Sequence, residues 1–173
     1  GGTIASKQTG GGLTPGMEAQ EILEYVPEMA KICEMDVLQL CNIDSTNMEP
    51  EVWTKLVLAI KENYDKYEGF VVLHGTDTMA YTGSMLSFLL KNLAKPVVLT
   101  GAQAPMVNPR SDGLQNLINS IYIAGHKLFD IPLIPEVCIC FRDSLLRANR
   151  SKKTDSNNYY GFSSPNYNPL AEI

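Results

Sequence analysis

Reactive side chains concentrate where His74-Gly75-Thr76-Asp77-Thr78 follows the apolar run Phe70-Val71-Val72-Leu73. Two hydroxyls and a carboxylate arrive just before residues 79–90, where Met79, Gly83, Leu86 and Leu90 have helical spacing. A buried strand that delivers polar groups onto a helix start is how open α/β sheets build sites at their strand ends. The same residues also suit an ordinary helix N-cap, for which Thr and Asp are favoured. Recurrence along the chain favours the site. Asn42-Ile43-Asp44-Ser45-Thr46-Asn47 follows the run ending at Cys41, and Thr100-Gly101-Ala102-Gln103 follows Leu99. Arg142-Asp143, and then Lys152-Lys153, come after Phe141. Gly1-Gly2-Thr3 fits as the same kind of loop, following a strand outside this chain.

The usual catalytic signatures are missing from the sequence. It has no Gly-x-Ser-x-Gly elbow, no phosphate loop and no dinucleotide fingerprint. His74 and His126 have no spacing that points to a metal pair. With histidine set aside as base, a lysine of lowered pKa is the alternative activator of a hydroxyl. That leaves threonine nucleophiles, a lysine base, and Asp77 as orienter or as ligand for an ammonium. Backbone N–H groups at Gly75-Thr76 and around Ala102 would hold a carboxylate or a developing oxyanion. A pocket so lined suits a small zwitterion with a carbonyl to attack.

Alternating elements must position these loops. Helical patterns cover residues 17–26 (closed by Pro27), 50–67, 79–90 and 111–124. Strand patterns cover residues 34–41, 70–73, 96–100 and 137–141. Beyond residue 141 no further clear element is predicted. Strands separated by helices imply an α/β fold, a parallel sheet flanked by helices in three layers of flavodoxin-like type. In such a sheet all the loops above emerge on one edge.

Composition narrows the function. The 173 residues fit one domain. A net charge of -5 argues against nucleic acid and against an anionic membrane surface. No apolar run approaches the ~20 residues that span a bilayer. Cys138 and Cys140 share a strand face, with no His or further Cys near them in sequence, so buried free thiols are expected rather than zinc. Reduced cysteines suit a reducing compartment.

Several blocks together resemble the L-asparaginase/glutaminase family. GGTIAS at residues 1–6 and HGTDTMAYT at residues 74–82 are similar to its two signature motifs. TGAQAP (100–105), RSDGLQN (110–116), NRSKKT (149–154) and SPNYNPL (164–170) follow in the family's order. The resemblance implies hydrolysis of asparagine to aspartate and ammonia, with no cofactor and no metal. Thr3 matches the threonine that attacks the side-chain carbonyl and forms an acyl-enzyme. Thr76 matches a second threonine that works with a lysine, here Lys153, to activate water or relay the proton. Asp77 matches the ligand of the substrate's α-ammonium, which also orders that lysine. Ser45 matches the holder of the α-carboxylate, with Thr46 beside it, and Gly75 lines the same pocket. Ala102 matches the position whose backbone carbonyl faces the departing nitrogen. An opposing charge on Asp77 favours the ammonium form of Lys153. Bound substrate ammonium, competing for Asp77, is expected to free Lys153 as base.

The resemblance also implies parts outside this chain. Relatives carry a strand before GGT and a smaller C-terminal α/β domain, so residues 1–173 correspond to the N-terminal domain. The second domain mediates pairing and lends a residue to a neighbouring site, which implies a homodimer or homotetramer. The loop at residues 7–16 carries a tyrosine in relatives; here Leu13 lies near that place, with Thr14 beside it. The SPN block, Thr46 and the cysteines lean toward the cytoplasmic type. L-Glutamine is a second candidate substrate. Two rival readings keep the pocket: an amidotransferase subunit that releases ammonia for a partner, and an amino-acid sensor without the chemistry.

Overall fold

The computed structural model describes residues 2–9 and 12–173, with side chains apart from those of residues 8, 9, 12–15 and 19. The chain begins with a 3-10 turn, Thr3–Ala5, and a short antiparallel hairpin of β1 (Ser6–Thr9) and β2 (Gly12–Pro15). The helical pattern of residues 17–26 forms as α1 (Ala19–Leu23). Pro27 then opens a second helix, α2 (Pro27–Ile32), instead of only closing the first. Its missing N–H costs nothing at the first helical position, and its fixed φ suits the helix.

The alternating core elements follow. They are α3 (Pro50–Asn63), β3 (Phe70–Leu73), α4 (Met79–Leu89), β4 (Val97–Thr100), α5 (Gly113–Ala124) and β5 (Val137–Phe141). β3, β4 and β5 are parallel neighbours, as expected for strands joined by helices. Their side chains alternate between faces with period two. Val97, Leu99, Val137, Ile139 and Phe141 pack with Met79 and Leu86 of α4 and Ile60 of α3. Val98, Cys138 and Cys140 pack on the other face with Ile123 of α5. The result is a sheet between two helical layers. Fully buried side chains such as Leu86, Leu99 and Ile139 each contribute roughly 1.5–3 kcal/mol.

Two expectations need correction. The sheet is mixed rather than wholly parallel. β5 turns back through Arg142-Asp143 into antiparallel β6 (Ser144–Arg147), and β9 (Ala171–Glu172) adds beyond it, giving the order β3-β4-β5-β6-β9. Arg142 has φ 56°, the left-handed region a tight hairpin needs. Gly or Asn usually marks that turn, so an arginine there hid it. The short pair β7 (Lys152–Lys153) and β8 (Phe162–Ser163) lies between these strands in sequence. The second correction concerns residues 34–41, which form no strand. Among the described residues β3 pairs only with β4. A cavity of about 1120 Å³, lined by Leu38 and Leu40 together with Val71 and Leu73, lies beside β3. A period-two pattern becomes a strand only where it pairs with a neighbouring edge, and among the described residues this one pairs with none.

All four cysteines are free, with Cys138 and Cys140 fully buried. Burial pushes the Cys140 thiol up to about 11 and raises Cys138 further. Both thiols are therefore protonated and inert at neutral pH.

Candidate active site

The C-terminal ends of β3 and β4 carry the two loops at the centre of the site. His74 N donates to Thr100 O at 2.8 Å, extending the β3–β4 ladder one step past Leu73. Gly101 then runs against His74: a Cβ built on Gly101 would lie 2.3 Å from His74 O. Gly75, Thr76 and Asp77 follow on one loop and Ala102 on the other, so adjacent strands place them side by side.

Lys153 comes from the far end of the chain, carried on β7. Lys153 Nζ donates to Thr76 Oγ1 and to Asp77 Oδ1, each at 2.7 Å. The Lys153 side chain is 15% exposed and Asp77 55%, so the ion pair has one sheltered and one wet end. Thr76 is buried. Successive strand residues face opposite ways, which is why Lys153 reaches Thr76 while Lys152 is exposed. Opposite Lys153, Phe162 of β8 packs on Phe141 at the end of β5, with ring centroids 4.9 Å apart. Gln103 Nε2 donates to Asp155 O and Asn158 O, tying the loop after Lys153 to the loop of Ala102. Asp155 caps that loop by accepting from the Asn157 and Asn158 amides, and those bonds hold its carboxyl below the usual range.

Ser45 joins the same edge. It sits in a 3-10 turn, Ser45–Asn47, whose N-cap Asp44 accepts from the Thr46 amide and hydroxyl, both at 2.8 Å. These bonds, the amide first, hold the Asp44 carboxyl below its usual range. Ser45 is buried and Thr46 exposed. Thr78 occupies the N-cap position of α4, yet its hydroxyl does not cap the helix. It donates to Ser45 O at 2.8 Å and so staples the Ser45 turn to the Thr76 loop. A Cβ on Gly75 would lie 2.5 Å from Ser45 Oγ, and one on Gly2 would lie 2.3 Å from Gly75 Cα. Gly2 has φ 70°, and its amide donates to Ile43 O at 3.0 Å. Thr3 is therefore the next residue after a backbone pressed onto the Gly75 loop. Leu13 and Thr14 have side chains outside the described residues.

Several contributors escaped the sequence reading. Asp112 accepts from the Gln103 and Ala104 amides, and Asn116 Nδ2 donates to Gly101 O at 2.9 Å. Asn116 Oδ1 accepts from the Arg142 amide at 2.9 Å. One helix thus holds the loops after both β4 and β5. RSDGLQN carried the signal, since two polar residues four apart on a helix share a face. Their targets are backbone groups, which no sequence pattern reveals.

Together the loops offer a threonine bonded to a lysine, that lysine bonded to a carboxylate, and a buried serine beside two glycines. This set can bind a small zwitterion and move a proton at a hydroxyl. Known proteins are similar to this chain as a whole. The family model Asparaginase, N-terminal matches residues 1–173. L-asparaginase 1 of Escherichia coli (strain K12) is 43% identical over 177 residues, covering 99% of this chain and 51% of that protein. The crystal structure of L-asparaginase I from Vibrio cholerae superposes with a TM-score of 0.87 at 40% identity, over 99% of this chain and 51% of that one. A probable cytoplasmic L-asparaginase from Campylobacter jejuni superposes at 0.88 with 33% identity, over 100% and 52%. The chain spans about half the length of these relatives. It belongs to the asparaginase family, and the part of that family it matches is the N-terminal one.

Proposed function

We propose that the protein carrying this chain hydrolyses the side-chain amide of L-asparagine to L-aspartate and ammonia. The contact of Lys153 with both Thr76 and Asp77 carries this reading. Thr3 Oγ attacks the amide carbon, and the nitrogen leaves as ammonia after taking a proton. Water then cleaves the resulting ester and returns the Thr3 hydroxyl. Thr76 and Lys153 handle the proton of the attacking group, because a threonine hydroxyl is almost wholly protonated at neutral pH. Asp77 takes the substrate ammonium, and Ser45, Thr46 and Gly75 take the α-carboxylate. The Ala102 carbonyl faces the leaving nitrogen. L-Glutamine, one methylene longer, is the competing substrate, and a methylene is worth only about 1–3 kcal/mol.

Residues 1–173 act in this reading as the N-terminal domain of a homodimer or homotetramer. The cytoplasm is the proposed compartment, supported by four free thiols and by the description of the Campylobacter relative. Among the described residues no helix is long and apolar enough to cross a membrane.

The deciding experiment is Lys153→Met in the full protein, assayed by ammonia release. Positioned proton transfer contributes typically 10²–10⁴-fold, so a fall in kcat of at least about 100-fold is expected. Turnover within a few-fold of wild type would remove Lys153 from the mechanism. Asparagine binding without ammonia release from the wild type would favour the sensor.

A further inference from the structure

Behind the Thr76 loop runs a chain of hydrogen bonds that the mechanism above does not use. Trp53 Nε1 of α3 donates to Thr82 Oγ1 of α4 at 2.8 Å. Thr82 Oγ1 lies 2.8 Å from His74 Nε2, and His74 Nδ1 lies 2.7 Å from Gly75 O. The partners fix the protons. A carbonyl only accepts, so His74 Nδ1 carries the hydrogen. Nε2 of the neutral ring is then an acceptor, and Thr82, already accepting from Trp53, gives its own hydrogen to Nε2. Every donor points the same way, from Trp53 to the Gly75 carbonyl. His74 is 5% exposed and Thr82 fully buried, so water competes for neither.

The endpoint of this chain is informative. Gly75 O belongs to the peptide that joins Gly75 to Thr76. Gly75 has no side chain with which to fix that plane, and the space beside it is taken by Ser45 and Gly2. The His74 ring supplies the missing constraint from the interior. With both ring nitrogens engaged, His74 is not available as a general base.

We propose that His74 is a positioning residue for Thr76: its Nδ1–H, aimed by Thr82 and Trp53, fixes the Gly75–Thr76 peptide plane and hence the Thr76 hydroxyl. The proposal deepens the asparagine-hydrolysis reading and rests on Thr76 working in that reaction.

Two variants of the full protein separate the halves of the ring. Asn places its amide near the former Nδ1 and can still donate to Gly75 O, whereas Gln reaches toward Nε2 and leaves that carbonyl unpaired. One hydrogen bond corresponds to about fivefold in rate. His74→Gln is therefore expected to lower kcat about fivefold more than His74→Asn, with KM the same for both. In NMR spectra the Thr76 amide resonance should stay near its wild-type position in His74→Asn and move in His74→Gln. Equal kcat values and equal Thr76 shifts in the two variants would overturn the proposal. If the wild type releases no ammonia from asparagine, the functional reading fails, and the Thr76 shifts alone then decide on positioning. Should the His74 variants not fold, Thr82→Ser and Thr82→Val make the same comparison from the other end. Serine should preserve kcat and the Thr76 resonance better than valine, and identical behaviour overturns the proposal.

Discussion

Between Gly2, Gly75 and Ser45 there is no room for a methyl group, since a Cβ on Gly75 would meet Ser45 Oγ at 2.5 Å. The cost falls on Ser45, because the backbone of Gly2 on the other side cannot yield. Overpacking of this kind costs typically 1–3 kcal/mol. Gly75→Ala is thus expected to raise KM for asparagine about tenfold by displacing the serine from the substrate carboxylate. Steady-state kinetics on the full protein checks this, and an unchanged KM would take Ser45 out of substrate binding. Thr78 belongs to the same account. Its position at the start of α4 made it look like a cap, but its hydroxyl serves the Ser45 turn. Local propensity chose the residue type there, and a distant backbone carbonyl chose its use.

At the scale of elements, α5 is more than a cover for the sheet. Asn116 is buried and bonds to Gly101 O, Asp112 Oδ2 and the Arg142 amide. Asn116→Ala removes the side-chain partner of the buried Gly101 carbonyl and of the half-buried Arg142 amide, at about 1–3 kcal/mol for each group left unsatisfied. A loss of about 2–3 kcal/mol in chemical denaturation is expected, with less than 0.5 kcal/mol indicating that water fills the gap. The same contacts explain what could be foreseen. β3, β4, α4 and α5 were legible because each has one apolar period and a turn signal at its end, and β5 because its apolar run starts just after Pro135. The β5–β6 hairpin was not, because its turn conformation at Arg142 is held by Asn116 and by Asn119, which bonds to Arg142 O. Residues 34–41 failed the other way: they have a strand period, yet among the described residues they pair with no strand. In the site, Thr76, Asp77 and Lys153 stood out through motifs. Trp53 and Asn116 did not, since their partners, the Thr82 hydroxyl for Trp53 and the Gly101 carbonyl and Arg142 amide for Asn116, lie far away in sequence.

For the whole molecule, His74 is one group through which pH acts on the fold. Burial, the largest influence, pushes its imidazole below the ordinary value near 6.5, while the bond to Gly75 O opposes the shift. Below about pH 6.5 the unfolded chain takes up a proton that the folded chain refuses. This contribution to stability is therefore complete above that pH and is lost as pH falls toward the folded value. Melting temperatures of the full protein should decline as pH falls below about 6.5, and the decline should be shallower in His74→Asn. Parallel curves would assign it to other groups. The Lys153–Thr76 contact has a consequence of another kind. It joins residues 77 apart in the chain, and the Thr78–Ser45 staple joins residues 33 apart. Closing such loops costs entropy before any contact repays it. Neither contact buries much apolar surface, so neither can nucleate folding. The pocket is therefore expected to assemble late, onto a core already formed, and to open before that core does, an order that hydrogen exchange at the Thr76 and Lys153 amides would check.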